Sequence, residues 1–340
     1  MLRRSHSQRF FRLALYATLF AFLLLLLAAW GRAHDAGLGC PDWPGCPERL
    51  FAPQTAKDLN EARSYFPRQT PEELKLFKET LHRYLSGALG LLIIRLAWLG
   101  WTLKKHVRRQ QVWIPVIVTL LVFAQVIASI VTVRMVHKPL VAMGQFSASL
   151  TILGLLWWIV LREHRFARPL GVPTLLMQRL RPRALLALFL VCAQAALGGW
   201  VSVNYASLAC PDFPFCQGQL WPPMNLVDGF TLWRDVGLDY EGILLNLEGA
   251  TAVHVAHRIG ALITLLYVGW LAQHVMRHSL NHGLIWYGLI VLLALLAQVS
   301  LGIMQVLTHL PIVLVVAHSA TAALLLLAVL TLNHAIRPRP

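Results

Sequence analysis

Eight long apolar stretches decide which folds are open to this chain. A helix needs about 20 predominantly apolar residues to cross the hydrocarbon layer of a bilayer. Only 13% of the residues are charged, against roughly 25% in an ordinary soluble domain. The sequence therefore predicts an all-α integral membrane protein with eight transmembrane helices. The predicted spans, drawn to within several residues, are 13–31, 80–103, 112–133, 139–161, 184–206, 250–275, 283–306 and 312–333.

The distribution of charge predicts how these helices are oriented. A net charge of +15 would suit a nucleic-acid partner, but the basic residues are spread over alternate connections between the spans, so that partner is excluded. The side that they mark carries one acid, Glu163, and all other acids lie on the opposite side. Positively charged connections stay in the cytoplasm. We therefore expect a bacterial inner-membrane protein surrounded by lipids, with both termini cytoplasmic and the long loops 32–79 and 207–249 outside.

The chain contains an internal duplication. Residues 40–46 read Cys-Pro-Asp-Trp-Pro-Gly-Cys after span one, and residues 210–216 read Cys-Pro-Asp-Phe-Pro-Phe-Cys after span five. A match at the same place after two spans indicates a repeat. Four spans return the chain to its starting side, so two tandem four-helix bundles are predicted to run parallel. The predicted domains are 1–165 and 184–340, joined by a basic cytoplasmic linker at 166–183.

Four of the five cysteines lie in these two motifs. The compartment outside the membrane is oxidising and favours disulfides, and the prolines of each motif bend the chain so that the thiols approach. We therefore predict the disulfides Cys40–Cys46 and Cys210–Cys216, with a thiol pair that cycles between redox states as the alternative. The sequence shows no Cys/His quartet with zinc spacing. The fifth cysteine, Cys192, lies in the middle of a span and is predicted to be a small core residue.

Histidines stand at matching places in the two halves. His82 is followed by Arg83, and His257 is followed by Arg258, each pair near the start of an apolar helix. A polar or ionisable side chain inside a membrane is costly and is by default a functional candidate.

The register between the halves extends to a third position. Gln145 lies twenty residues after Gln125, and His318 lies twenty residues after Gln298. The first half therefore has Gln145 at the place where the second half has His318.

Spans two, four, six and eight run in the same direction, so residues near their starts share one level close to the outer surface. His82, Gln145, His257 and His318 lie within about the first two turns of these spans. Two neutral imidazoles are a common axial pair for heme iron, and bundle interiors are common heme sites. We therefore predict that His257 and His318 bind one heme, and that Arg83 and Arg258 meet heme propionates. A lone histidine near the start of a membrane helix is more often an interfacial polar residue than a ligand. Because these histidines recur at matching places in the two halves, we favour the ligand interpretation.

Glu79 lies three residues before His82 and hence on the same helical face. It is either a cap favoured by the helix dipole or a group that relays protons or stabilises a developing cation. His254 is a competing ligand or a neighbour of the site. Among the other histidines, two are predicted to be interfacial (His137 and His309) and six to be solvated near the cytoplasm (His106, His164, His274, His278, His282 and His334).

Together these motifs resemble the heme A synthase family, which serves cytochrome oxidase assembly, and the resemblance covers nearly the whole chain. It implies that the second half holds a permanent heme b through His257 and His318, and that the first half binds the substrate heme O around His82. It also implies that the C8 methyl of heme O is oxidised to a formyl group, giving heme A for cytochrome c oxidase. Glu79 matches the family's acidic residue beside the substrate. Heme O synthase and an electron donor are the implied partners, and a homo-oligomer is left open.

The sequence departs from the family at Gln145, where a fourth histidine is usual. Three outcomes are open: the substrate heme has one protein ligand, another group substitutes, or this branch has altered activity. Two rival functions also remain. A di-heme b-type electron-transfer cytochrome predicts paired histidines in both halves, which Gln145 argues against. A transporter predicts broken helices and charges at mid-membrane, for which Arg95 is the main candidate.

Overall fold

The computed structural model describes residues 2–33, 73–102, 109–134, 139–163, 173–233, 245–278 and 283–337. In these residues it contains eight long helices, and each is long and apolar enough to cross a membrane. The prediction of an all-α chain with eight spans is confirmed. The helices are α1 (Leu2–Arg32), α2 (Glu73–Thr102), α3 (Arg109–Arg134), α4 (Pro139–Glu163), α5 (Thr174–Val203), α6 (Leu247–His278), α7 (Ile285–Leu307) and α8 (Ile312–Ala335).

Several helices extend beyond the apolar stretch that predicted them. The helix α5 begins at Thr174, so the last part of the segment predicted as a linker is helical and contains Pro182. The apolar stretch begins only after Arg183, but arginine is a good helix former, so the helix starts before the apolar stretch does. The division of the chain into two domains stays a prediction.

Within the described residues, the helices pack as two closed rings of four. The helix α1 contacts α2 and α4, and α3 closes this first ring by contacting the same two helices. The second ring has the same order, because α5 and α7 each contact both α6 and α8. In each ring the second and fourth helices therefore face each other across the interior. The tandem duplication itself stays a prediction, and the contacts agree with it.

The two rings join along α4 and α8. The helix α8 contacts α1 and α4, and α4 contacts α5. Trp157 on α4 donates its indole N–H to the Thr331 hydroxyl on α8 at 2.8 Å. At Gly154 on α4, a Cβ would stand 3.2 Å from Leu330 on α8. Close approach at small residues and hydrogen bonds between helices are the usual means of association in lipid, and one continuous apolar core fills this seam.

Three side chains point in directions that the sequence does not predict. Cys192, expected in the core, is exposed, and Arg95, considered as a buried charge, is exposed on α2. His334, expected to be solvated, is 2% exposed and packs edge-on against Trp158 with ring centroids 5.3 Å apart. These predictions were wrong because sequence reveals depth along a helix, whereas packing decides which way a side chain faces around it.

Candidate functional site

His257 and His318 lie on the facing helices of the second ring. His318 is about two turns into α8, but His257 is about three turns into α6, because α6 begins as early as Leu247. The two imidazoles are close enough for the charge of one to act on the other. The structure therefore brings the predicted pair together inside one ring of helices.

Each of these imidazoles lies against a glycine of a neighbouring helix. A Cβ at Gly198 on α5 would stand 3.1 Å from His257 Cε1, and a Cβ at Gly302 on α7 would stand 3.0 Å from His318 Cε1. Such separations are tighter than ordinary van der Waals contact, so a larger residue would push the ring aside. Each imidazole thus occupies a space that a larger side chain at Gly198 or Gly302 would fill.

Glutamines on α5 and α7 orient the two imidazoles. Gln194 Nε2 on α5 lies 3.0 Å from His257 Nδ1 and donates to the His257 carbonyl at 2.9 Å. Gln298 Nε2 on α7 lies 3.2 Å from His318 Nε2, while Gln298 Oε1 accepts from the Thr321 hydroxyl. Because Thr321 engages the amide oxygen, the Gln298 N–H faces His318 Nε2, which accepts from it when the ring proton is on Nδ1.

This donor set fits heme iron. An imidazole nitrogen that accepts from an amide carries no proton, which is the form that a metal requires. His318 Nδ1 is buried and has no hydrogen-bond partner in the described part of the chain. Neutral imidazoles on facing helices suit the two axial positions of a b-type heme. Gln298 would swing away from His318 Nε2 when the iron binds.

A loop between α5 and α6 packs on the mouth of the second ring. Cys210 and Cys216 form a disulfide in this loop, as predicted. Both cysteines are buried, against Val255 of α6. The other predicted disulfide, Cys40–Cys46, lies outside the described residues.

Asp212 of the Cys-Pro-Asp motif closes a tight turn within this loop. Its carboxylate accepts the backbone N–H of Gln217 at 2.7 Å and that of Gly218 at 2.8 Å. Both residues have positive φ, 55° and 74°, a backbone that glycine adopts without strain and that a glutamine adopts when other bonds hold it. In the second half of the chain, the acid of this motif therefore has a structural role, because Asp212 shapes the loop.

Arg258 and His254 attach this loop to α6. The Arg258 guanidinium donates to the carbonyls of Phe215 at 2.7 Å, Cys210 at 2.8 Å and Asp212 at 2.8 Å. His254 is buried, and the Cys210 N–H donates to its Nδ1 at 3.4 Å. A propionate-binding role for Arg258 stays a prediction, but its guanidinium already serves three carbonyls. His254 is a neighbour of the site that supports the loop.

Asp212 makes this loop sensitive to acid. The Gly218 N–H, together with the Gln217 N–H and the charge of Arg258, holds the pKa of Asp212 below its ordinary value of 3.8. A carboxyl whose pKa is lowered by folding stabilises the fold above its ordinary pKa and loses that contribution as the pH falls through the folded value. We expect Asp212→Asn to raise amide exchange at Gln217 and Gly218 severalfold at neutral pH, whereas Asp228→Asn, elsewhere in the loop, leaves it unchanged.

Hydrogen exchange followed by mass spectrometry over a pH series checks this expectation. The ratio of the Asp212→Asn exchange rate to that of the wild type should fall towards one as the pH drops below 3.8. Equal rates in the two proteins at neutral pH would contradict it.

In the first ring, Glu79 and Arg83 flank His82 on α2. Glu79 and Arg83 form an ion pair across one turn. The charges of Arg32, at the end of α1, and of Arg83 both act on the His82 imidazole. The ion pair joins Glu79 to Arg83, and residues three and four apart share one face of a helix, so the predicted acid, arginine and histidine lie on the same face of α2.

Gln145 lies on α4, across the first ring from α2. Its Nε2 donates to the Ser129 hydroxyl on α3 at 3.4 Å, and Gln125 Nε2 on α3 donates to the Gln145 carbonyl at 3.5 Å. Gln125 therefore meets α4 at Gln145 as Gln298 meets α8 at His318. The corresponding residues therefore meet through different atoms, because Gln125 contacts the Gln145 backbone carbonyl and Gln298 contacts the His318 imidazole.

Contacts between the rings connect the two sites. The Arg32 guanidinium lies 5.5 Å from the centroid of the Phe146 ring on α4. A Cβ at Gly199 on α5 would stand 2.6 Å from Phe146 Cδ1, and the preceding glycine is the one that cradles His257. A short series of neighbours therefore leads from His82 through Arg32 and Phe146 to His257.

Several residues that lie against these groups were missed by sequence reasoning. They are Arg32, Gln194, Gly198 and Gly302. Gln194 carried a usable signal, because an amide within an apolar span needs a hydrogen-bond partner. The glycines carried none, since glycine is frequent in transmembrane helices, and Arg32 stood at the boundary between span and loop.

A membrane-spanning bundle of eight described helices, with imidazoles facing each other in its interior, defines a polytopic membrane protein with a histidine-lined centre. The chain belongs to the cytochrome oxidase assembly protein family (COX15-CtaA), whose family model matches residues 11–330. It is similar to a heme A synthase of Shewanella oneidensis, with 35% identity over 315 residues, 93% of each chain. It is also similar to a heme A synthase of Halalkalibacterium halodurans, with 25% identity over 308 residues, 89% of each chain. The family predicted from the motifs is confirmed.

Proposed function

We propose that this chain converts heme O into heme A by oxidising the C8 methyl group to a formyl group. Its likeness to heme A synthases over nearly its full length supports the proposal. The observation that carries it is an asymmetry between the two rings. The second ring brings His257 and His318 together, whereas the first ring carries His82 on α2 and Gln145 on α4 at the positions that correspond to them in the sequence. Such a pair of sites suits one group that stays bound and one that is exchanged.

The residues divide into two sets. In the second ring, His257 and His318 hold a b-type heme, which when bound supplies one-electron redox chemistry. Gln194 orients the His257 imidazole, and the close approach of Gly198 and Gly302 keeps both imidazoles in place. Arg258 keeps the disulfide loop over the mouth of the ring and so limits the entry of water.

In the first ring, His82 binds heme O and orients the edge of the macrocycle that reacts. Glu79 lies one turn away and is held as a carboxylate by Arg83. Conversion of the methyl group to a formyl group with an oxygen atom from water releases four protons and four electrons; the Glu79 carboxylate accepts protons as a general base, and the electrons pass to an external redox partner. Gln145 leaves the opposite side of the substrate without a second imidazole.

The proposed location is the bacterial inner membrane, with both termini in the cytoplasm and both sites near the periplasmic face. The basic connections between the spans support this orientation through the positive-inside rule. Heme O synthase is the proposed source of the substrate.

Pigment analysis of membranes tests the proposal. The chain is expressed with a heme O synthase in a host that makes no heme A, and the extracted hemes are separated and weighed by mass spectrometry. We expect heme A with the wild-type chain and a comparable amount with Gln145→His, because a histidine is usual at this position in the family that the chain resembles. Membranes that hold heme b and no heme A would instead favour an electron-transfer cytochrome. Heme A from Gln145→His alone would mark a branch that has lost the activity.

A further inference from the structure

The end of the second ring that lies away from His257 and His318 carries a cluster of one arginine and two histidines. Arg183 lies on α5, and His274 and His278 lie one turn apart near the end of α6. The Arg183 guanidinium donates from Nη1 to His274 Nε2 at 2.9 Å, and the ring centroids of His274 and His278 are 4.2 Å apart. His274 comes seventeen residues after His257, about 25 Å along a helix, so the cluster is separate from the proposed heme sites.

An aromatic side chain holds this arginine in place. The Arg183 guanidinium carbon lies 5.6 Å from the centroid of the Trp270 ring, and the rings of Trp270 and His274 are stacked with centroids 5.3 Å apart. The Tyr267 hydroxyl donates to the Arg183 carbonyl at 3.2 Å and joins the two helices. An aromatic face attracts the cation through the ring quadrupole, and the edge of the guanidinium still offers N–H donors to an acceptor.

The chain supplies little negative charge near this cluster. Among the described residues, Arg183 has no carboxylate partner. The segments 164–172, before α5, and 279–282, after α6, contain no Asp or Glu, and Glu163 is the single acid at this end of the bundle. Exposed arginines on the same two helices add further positive charge: Arg179, Arg181 and Arg277. This positive charge is therefore left for an anion from outside the chain.

The face of α6 that leads to the cluster is apolar and exposed. Ile259, Ile263, Leu266 and Trp270 follow one another along it at helical spacing, and each is at least 44% exposed. His274 continues the same face. A change from apolar to basic residues at a tryptophan is typical of the level at which a bilayer changes from acyl chains to headgroups. A lipid on this face would contact both parts, whereas a free phosphate ion would contact only the cluster.

We propose that the groove between α5 and α6 at this end binds an anionic phospholipid, with its phosphate on Arg183 and an acyl chain along the exposed apolar face of α6. Phosphate oxygens accept charge-assisted hydrogen bonds from a guanidinium, and basic pockets between membrane helices suit such headgroups. On the proposed orientation, the lipid belongs to the cytoplasmic leaflet. The site is independent of the proposed function, because it requires no heme.

Binding of phosphatidylglycerol and phosphatidylcholine with the same acyl chains tests the proposal. Each lipid is titrated into the full-length protein in a mild detergent, and bound lipids are counted by native mass spectrometry. We expect the wild type to bind one phosphatidylglycerol about tenfold more tightly than phosphatidylcholine, whose choline group cancels the phosphate charge. Arg183→Gln should lower this preference about tenfold, to near equality.

Inorganic phosphate distinguishes a lipid site from a site for a soluble anion. Phosphate at the same concentration as the lipid should leave phosphatidylglycerol bound, because the ion gains no contact with the apolar face of α6. Displacement of the lipid by equimolar phosphate would assign the cluster to a soluble anion and overturn the proposal.

Matched variants separate a built site from a general effect of positive charge. Arg12→Gln removes an exposed arginine at the same end of the bundle, on α1, and should keep the full preference. Trp270→Leu keeps an apolar residue but removes the aromatic face behind the guanidinium, and should lower the preference severalfold. Arg183→Lys keeps the charge and should retain part of it.

The remaining outcomes decide for or against the site. A variant that aggregates in size-exclusion chromatography has not folded; if Arg183→Gln fails in this way, Trp270→Leu and Arg183→Lys still answer the question. Equal affinity of the wild type for both lipids would overturn the proposal. A preference that Arg12→Gln lowers as much as Arg183→Gln would overturn it as well, because positive charge anywhere at this end would then be sufficient.

Discussion

Replacing His257 or His318 by alanine removes the resident b-type heme absorbance from the purified protein. Each imidazole is one of two axial donors in the proposed site, and loss even of an outer-shell partner lowers metal affinity by about 10–100-fold. We therefore expect at least a comparable loss of heme from either variant. The measurement is the Soret absorbance per milligram of protein after extraction of the membranes and purification.

Two further variants show whether the loss is one of ligation. His278→Ala removes an exposed histidine from the same helix as His257 and should keep full absorbance. In His257→Gly, the space beside Gly198 is large enough for a free imidazole, so added imidazole should restore the absorbance. A His257→Ala or His318→Ala protein that keeps its heme would refute the assignment of these residues as ligands.

Replacing His82 by alanine should abolish heme A formation and leave the resident heme in place. His82 lies in the first ring, and the proposed ligands of the resident heme lie on α6 and α8 in the second. Loss of the residue that positions a substrate commonly costs about a hundredfold in rate. Heme A in membranes of the co-expressing host, divided by resident heme b, is the quantity to measure.

The control for this experiment is Tyr84→Ala, which changes a 41% exposed residue two positions along the same helix. We expect it to make heme A at the wild-type level. Loss of the b-type absorbance together with heme A in His82→Ala would contradict the separation of the two sites. Unchanged heme A in His82→Ala would contradict the role of His82.

The sequence predicts the eight spans because a bilayer requires helices of fixed minimum length. It also predicts which positions of the two halves correspond, because the register from Gln125 to Gln145 equals that from Gln298 to His318. Both are statements about position along the chain. The start of α5 at Thr174 was not predicted, because this helix begins in charged residues that precede the apolar stretch.

What the sequence leaves open is rotation about each helix axis. Cys192 and His334 were assigned by depth alone, and packing turned the first outwards and the second inwards. The same limit hid Gln194 and Gly198, whose importance comes from facing His257. Arg258 shows the limit for contacts made by loops, because its three carbonyl acceptors are far away in sequence.

Gln145 has a consequence for turnover. Its amide is bound to Ser129 on α3, and an amide does not compete for iron as an imidazole does. On the proposed assignment, the product is held at one axial position, so its dissociation requires one coordinate bond to break rather than two. A shorter residence time of the product at this site would follow from the proposed assignment.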